Sequence, residues 1–326
     1  MSQLSIVIPT HNRAKFLDFL LESHIDVFKQ FNIPVFIYNN ASTDGTDEVI
    51  KKWKKEYHLI TSKINIDDVM IADKSIENAL KLSNTKYRWL LGDTYYLSPK
   101  LVQHVSSMII ENNETDLYIL NLNGLITDIP SSLYYKENQL LSNFSTVMAC
   151  VGCQIYNEKI INSNNFNKYS GTNYVQLGII LEYINNNNFC ANWIQEFSVT
   201  SLKNPNLKKR NWSHGKSVLE IAAKNWVKFI FSLPDCYSTK SKLMAIKNFG
   251  RQTNIFTIKG LLLMRVKGNL TYANYKKYSK EIGLLVKHPS IVVVISKTPV
   301  ILLKAVCVLY TRIFKKNKTK LWCFNE

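Results

Sequence analysis

Short β-branched apolar runs alternate with stretches of helical spacing through the first hundred residues, and few folds accept that pattern. Ser5–Pro9 (SIVIP) is an apolar run ended by Pro, which predicts a buried parallel strand. From Ala14 to about Phe31 the residues Phe16, Leu17, Leu20, Leu21, Ile25 and Phe28 recur at helical spacing. Pro34–Tyr38 predicts a second strand, and a helix follows to about Glu56 with Thr46 or Asp47 as its cap. A strand near Leu59–Ile66, a helix near Ser75–Leu82 and a strand at Tyr87–Leu91 continue the alternation. The pattern predicts an α/β fold with a mainly parallel sheet and helices on both faces. Ligands of such sheets bind beyond the carboxyl ends of the strands, where the loops at Thr10, Asn39 and Gly92 lie. After a further strand at Asp116–Leu122 the pattern loosens from Ile126 to Thr200, and one helix, about Tyr174–Ile184, stands out.

Charge divides the chain. Residues 204–326 hold 24 Lys and Arg against four Asp and Glu, a net of +20, so residues 1–203 carry −3 of the total of +17. A basic C-terminal part predicts an anionic partner, either nucleic acid or an anionic membrane leaflet. No recognised nucleic-acid motif accompanies the charge, and apolar residues accompany it instead. Ile291–Phe314 is apolar but interrupted by Lys297, Pro299, Lys304 and Arg312, too often for a spanning helix of ~20 apolar residues. With Thr298 as cap and Pro299 at the first position, it predicts a helix in the membrane interface, followed by the polybasic 315–320. Segment 291–320 is thus expected to dock on the anionic cytoplasmic leaflet, with no nucleic-acid partner. Met1 runs within a few residues into Leu4–Ile8, without the basic and apolar regions of a signal peptide, which predicts a cytoplasmic location. Six scattered Cys predict a reducing compartment, and the Cys150-Val-Gly-Cys153 spacing predicts structural thiols, since no second ligand pair for zinc is evident. Trp53, Trp89, Trp193 and Trp226 are expected in the core, while Trp212 and Tyr169 are candidates to stack on a ring of a ligand.

Three motifs occur in order at the carboxyl-edge loops. Ile6-Val-Ile-Pro-Thr-His-Asn-Arg13 resembles the opening strand and loop of family 2 glycosyltransferases, which have the GT-A fold. Tyr38-Asn-Asn-Ala-Ser-Thr-Asp-Gly-Thr46 resembles that family's second-strand loop, usually V-D-D-G-S-T-D-G-T. Trp89-Leu-Leu-Gly-Asp93-Thr94-Tyr95 stands where the family has its acidic cluster. The resemblance covers about residues 4–200 and is nearest to enzymes that assemble bacterial surface polysaccharides such as O-antigen or capsule. It implies a Rossmann-like GT-A domain over 1–203, with a mixed, mainly parallel sheet flanked by helices, a nucleotide-sugar half (1–105) and an acceptor half (106–203). Residues 204–326 then form a basic helical region.

The resemblance implies a nucleotide-sugar donor held by Pro9, Thr10, His11, Asn12, Arg13, Asn39, Asn40, Ser42, Asp44, Asp73 and Lys74, and a lipid-linked glycan as acceptor. Asn39 and Asn40 replace the family's two acids, and an amide donates as well as accepts. Asp44 is equally suited to stabilising its turn. Asp93 is the implied metal ligand, but with Thr94 and Tyr95 in place of further acids a divalent Mn²⁺ or Mg²⁺ is a doubtful cofactor. Two readings stay open: metal bound through Asp93 and the nucleotide, or phosphates neutralised by Lys74, Arg13 or the basic C-terminal part. The inverting base of the family falls near Gln176, which cannot act as a base. Glu182 and His214 are the other candidates, unless Gln176 only orients the acceptor. A second class of reading is a degenerate member that binds nucleotide sugar or glycan without turnover.

Overall fold

The computed structural model of the chain describes residues 2–303 except 68, 69, 112, 113, 164, 205, 208–214 and 216. The chain divides into two compact units, residues 1–209 with 232–241, and residues 210–231 with 242–326.

The first unit opens with β1 (Leu4–Thr10), α1 (Ala14–Gln30), β2 (Val35–Asn40), α2 (Thr46–Glu56), β3 (Ile60–Asn65), α3 (Ala72–Leu82) and β4 (Tyr87–Leu90). β1 pairs in parallel with β2 on one side, Ile6 opposite Val35 and Thr10 opposite Asn39, and with β4 on the other, Ile6 opposite Trp89. β3 extends the parallel set beyond β2. All four residues of β4 and all of β1 but Pro9 are buried, as strands covered on both faces require. The chain lays β2 and β3 on one side of β1 and then crosses to place β4 on the other. Strand order therefore reverses between β1 and β4, the switch point at whose carboxyl ends ligands of such sheets bind.

The second half supplies the antiparallel part of the expected mixed sheet, a larger share than a mainly parallel one would hold. It contains β5 (Tyr95–Tyr96), α4 (Pro99–Glu111), β6 (Leu117–Leu122), β7 (Ser132–Tyr134), α5 (Glu137–Met148), β8 (Gln154–Asn157), α6 (Glu158–Asn162), α7 (Phe166–Tyr169), α8 (Val175–Asn186) and β9 (Ala191–Ser201). The nine described strands form one mixed sheet, in which β8 runs antiparallel to β4 and β6, and β9 antiparallel to β5 and β7 but parallel to β6. Large aromatic residues fill this half, and their polar tips find partners, as buried Trp and Tyr require. Trp89 Nε1 donates to Gly152 O (2.8 Å), Trp193 Nε1 to Ile129 O (2.9 Å) and the Tyr87 hydroxyl to Thr115 O (2.9 Å). Phe144 stacks on Trp193 with 4.6 Å between ring centroids. Residues 232–241 complete the unit, where buried Tyr237 donates to Leu181 O on α8.

The second unit is helical. A π-helical segment, Glu220–Asn225, leads into α9 (Trp226–Phe231). The greater part of α10 (Thr239–Gln252) follows, with α11 (Ile258–Val266), α12 (Tyr272–Lys277), α13 (Ser279–Leu285) and α14 (Pro289–Lys297). Its core centres on Trp226 stacked on Phe249 at 4.2 Å. Gly250 is required there, because a Cβ would lie 2.4 Å from the Leu285 carbonyl oxygen. Among the described residues no helix is long and apolar enough to cross a membrane. Within the apolar segment expected at the interface, α14 ends at Lys297 and a new helical stretch follows Pro299, with Ile301 and Leu302 exposed. Residues 304–320 lie outside the described residues.

Candidate active site

The carboxyl ends of β1, β2 and β4 bring the three motif loops to one edge. Register does this directly. Thr10 pairs with Asn39, and Leu91 N donates to Val7 O at 2.9 Å, so the chain after each strand emerges beside its neighbours.

The first two loops are sewn together by their own side chains. Asn12 takes a left-handed backbone (φ 51°), which Asn tolerates better than most residues. In that conformation its N–H donates to Ser42 Oγ (2.8 Å) and its Oδ1 accepts from Thr43 N (2.7 Å). His11 Nδ1 lies 2.6 Å from Asn40 O. Asp44 accepts from Ala14 N (3.1 Å) and from the Thr46 hydroxyl, tying the second loop to the start of α1. Burial pushes the Asp44 carboxyl up, but the bonds from Thr46 and from the backbone outweigh it and hold the group below the usual carboxylate range.

Asn39 and Asn40, read from sequence as donor-binding amides, turn into the protein. Both are buried. Asn39 Nδ2 donates to Asp47 Oδ1, and its Oδ1 accepts from Ser42 N. Asn40 holds the backbone of Met70 at both polar groups, donating to its carbonyl (2.8 Å) and accepting from its N–H (3.0 Å). The amides therefore stand where the family pattern has acids because their partners demand donors. An Asn39→Asp variant would set a second carboxylate against Asp47 in a buried site. We expect it to cost about 2 kcal/mol at neutral pH, read as a lower urea midpoint. Thr10 is also buried, and its hydroxyl has no partner among the described residues. Pro9 lies within β1 beside Tyr38.

Asp73 and Lys74 do not precede the third helix; α3 begins at Ala72 and both lie in its first turn. Asp73 is buried, not solvated. Its Oδ2 accepts from Asn173 N (2.9 Å), so it anchors the approach to α8, while its buried Oδ1 has no hydrogen-bond partner among the described residues. Burial raises its pKa against the pull of the backbone N–H groups of 171–175. Lys74 Nζ pairs with Glu77 on its own helix at 2.7 Å.

Arg13 and Asp93 join the loops that follow β1 and β4. Arg13 Nε donates to Asp93 Oδ2 (2.7 Å) and Nη2 to Oδ1 (2.9 Å), a two-pronged ion pair. The Asp93 loop is set by features that sequence reading missed. The Tyr95 ring fills the space over Gly92 and Gly152, where a Cβ would lie 3.3 and 3.2 Å from it. Beyond β5, Leu97 N donates to Nε2 of buried His24 (2.9 Å), whose Nδ1 lies 2.6 Å from Leu20 O. The paired glycines of Gly92 and Val-Gly-Cys153 were the available signal for the first contact; His24 reads only as part of a helix face.

The acceptor half places the remaining candidates. Gln176, near the start of α8, is buried and donates to Ala149 O (2.7 Å). Glu182 accepts from Lys168 Nζ and from the Tyr169 hydroxyl, each at 2.7 Å. Burial pushes Glu182 up, but these bonds outweigh it and hold the carboxyl below the usual range. Tyr169, a candidate sugar platform, is instead buried beneath α8. His214 and Trp212 lie outside the described residues. Cys150, Cys153, Cys190 and Cys236 are free thiols, and Cys153 is buried. Trp53, Trp89, Trp193 and Trp226 are all buried.

An α/β fold with a loop cluster at its switch point defines a class of domain that binds ligands at that edge, and comparison gives the family. Residues 5–163 match the sequence profile of Glycosyl transferase family 2, so the chain carries a domain of that family. It is similar to abequosyltransferase RfbV of Salmonella typhimurium, 30% identical over 120 residues that cover 36% of this chain and 34% of that one. It is also similar to poly(ribitol-phosphate) beta-N-acetylglucosaminyltransferase TarS of Staphylococcus aureus, 22% identical over 169 residues, 50% of this chain and 29% of that one. The chain thus matches about a third of the length of these relatives. Among solved structures, S. aureus TarS 1–349 with UDP-GlcNAc superposes with a TM-score of 0.52 at 14% identity, over 97% of this chain and 93% of that one. Mannosyltransferase PcManGT from Pyrobaculum calidifontis, in complex with GDP-Man and Mn²⁺, gives 0.50 at 11%, over 97% and 88%. These likenesses show the fold.

Proposed function

We propose that the chain is a nucleotide-sugar-dependent glycosyltransferase of bacterial surface glycan assembly, with a lipid-linked glycan as acceptor. The observation that carries this reading is the convergence of the β1, β2 and β4 loops around the Arg13–Asp93 pair at the switch point, within the segment that matches the family profile. Loop backbone, the half-buried side chains of His11, Arg13 and Ser42 and the exposed Asn12 lie at this edge, while Asn39, Asn40, Asp44 and Asp73 hold it in shape. The similarity to a bacterial abequosyltransferase and to a bacterial poly(ribitol-phosphate) beta-N-acetylglucosaminyltransferase supports glycosyl transfer onto a glycan polymer. Residues 1–105 take the donor and 106–203 the acceptor in this reading.

In the transfer, an acceptor hydroxyl oxygen bonds to the anomeric carbon as the bond from that carbon to the diphosphate oxygen breaks. The nucleoside diphosphate leaves with the electron pair, and the hydroxyl proton passes to a base. A single displacement inverts the anomeric centre. The basic C-terminal region, with a net of +20 over 204–326, holds the enzyme at the anionic inner leaflet where lipid-linked acceptors lie.

The test is a transfer assay on the full chain with UDP-, GDP-, CDP- and dTDP-sugars and a bacterial extract of lipid-linked glycans, read as released nucleoside diphosphate. Release that depends on the extract, with labelled sugar appearing in the lipid fraction, is expected. Nucleotide binding without release under any combination would instead assign the chain to glycan or nucleotide-sugar binding without catalysis.

A further inference from the structure

What neutralises a diphosphate at the switch point depends on how Arg13 and Asp93 meet. Both carboxylate oxygens of Asp93 are engaged by one guanidinium, at 2.7 and 2.9 Å. Thr94 and Tyr95 follow where further acids would be needed, and among the described residues no three His, Cys, Asp or Glu side chains gather. Hard divalent cations take about six oxygen ligands in a compact shell. One carboxylate already filled by an arginine does not fit that requirement.

The same geometry fits an anion. Asp93 occupies two of the five N–H donors of the guanidinium. The ring of Phe16 lies 3.7 Å from Cζ and, together with the fork on Asp93, fixes the plane of the group. No other described residue hydrogen-bonds the remaining N–H groups, and the Arg13 side chain is 22% exposed. A planar fork with free donors, held rigidly and open to solvent, matches phosphate oxygens. Lys74, the other cation of this region, is drawn to Glu77.

We propose that Arg13, held by Asp93, receives the diphosphate of the donor in the place where a divalent metal would otherwise sit. The proposal rests on the glycosyltransferase reading above. As the anomeric carbon–oxygen bond breaks and the electron pair moves onto the diphosphate, the free N–H groups of Arg13 hydrogen-bond the oxygens that gain charge. Arg13 touches the leaving group and is catalytic. Asp93 acts through Arg13 and is a positioning residue.

The experiment is calorimetric titration of the full chain with UDP, GDP, CDP and dTDP, in EDTA and in Mn²⁺. The best-binding diphosphate and its bare nucleoside are then compared on Arg13→Gln, Arg13→Lys and Asp93→Asn, the nucleoside by ligand-observed NMR. Affinity in EDTA is expected within about twofold of that in Mn²⁺. Arg13→Gln is expected to weaken the diphosphate about tenfold or more and leave the nucleoside unchanged, a selectivity that general loss of structure would not produce. Arg13→Lys should recover part of the loss, since it restores the charge without the fork, and Asp93→Asn should weaken the diphosphate less than Arg13→Gln. Binding that requires Mn²⁺, is lost in Asp93→Asn and survives in Arg13→Gln would overturn the proposal and leave the glycosyltransferase reading standing. No binding of any diphosphate to the folded wild-type chain in either medium would overturn both. Should Arg13→Gln not fold, the wild-type comparison of EDTA with Mn²⁺ decides alone.

Discussion

Between pH 6.5 and pH 4 the protein is expected to lose about 3 kcal/mol of folding stability through one buried imidazole. His24 on α1 is 1% exposed, lies 5.6 Å from the ring of Phe28 and 5.2 Å from that of Tyr96, and accepts from Leu97 N through Nε2. Only the neutral Nδ1–H tautomer serves both contacts, donating to Leu20 O and accepting from Leu97. Burial lowers its pKa from 6.5 to about 4, against a smaller upward pull from the Leu20 carbonyl. The folded value lies below the unfolded one, so the unfolded chain takes up the proton first. The stabilisation is therefore present above pH 6.5 and is lost progressively as the pH falls to about 4. Because His24 secures the segment that follows the Asp93 loop, nucleotide affinity should fall over the same range. Urea midpoints from pH 7.5 to 4 on wild type and His24→Leu check this. The variant should be weaker at neutral pH by about 1–3 kcal/mol, since Leu97 N–H is left unpaired, and should lack most of the slope. Equal slopes in the two proteins would contradict the assignment.

The second large effect is expected at Asn40. Its buried amide meets both polar groups of the half-buried Met70 and also accepts from buried Asn65 Nδ2 at 3.3 Å. Asn40→Ala removes the side chain that pairs both polar groups of Met70 and should cost about 1–3 kcal/mol. Asn40→Asp, the acid of the family pattern, should not rescue the site. A carboxylate accepts from Met70 N–H but faces the Met70 carbonyl with a second acceptor, and its charge is buried. Burial raises the pKa of such an acid, so the protonated form, which can donate, is favoured in the folded state. The variant should regain stability as the pH falls below neutrality, opposite in sign to the His24 effect. Thermal midpoints at two pH values separate the two. A fully stable Asn40→Asp at pH 7 would contradict the reading of the amide as a two-sided clamp.

The parallel half of the sheet was legible because β1, β2 and β4 are short buried runs, and β1 and β2 are each followed directly by a helix with one apolar face. Ser5–Pro9, Pro34–Tyr38 and Tyr87–Leu91 all mark strands that the structure contains. The antiparallel half was not legible. β9 reads Ala-Asn-Trp-Ile-Gln-Glu-Phe-Ser-Val-Thr-Ser, with no strict alternation, because it shifts register against β6 between Leu120 and Asn121 and pairs with β7 and β5 along other parts of its length. β5 and β7 are too short to announce themselves.

The location of the site was legible in the three loop motifs, but the direction of its side chains was not. Asn39, Asn40 and Asp73 are polar residues at a ligand edge, and a sequence does not reveal that Asp47, Met70 and the 171–175 backbone claim them first. Tyr169 was misread for the same reason. Its ring sits against Gly178, where a Cβ would lie 2.3 Å away, and its hydroxyl is taken by Glu182. The Arg13–Asp93 pair was within reach of sequence reading as two residues but not as one unit, since 80 positions separate them.

The central claim is that a nucleoside diphosphate binds at the β1–β4 switch point. Hydrogen–deuterium exchange of the full chain, with and without the nucleoside diphosphate that binds it, tests this most directly, because bound backbone exchanges more slowly. The account predicts protection concentrated in peptides covering residues 10–14, 39–46 and 91–97. Protection absent from all three, or confined to peptides elsewhere in the chain, would contradict it.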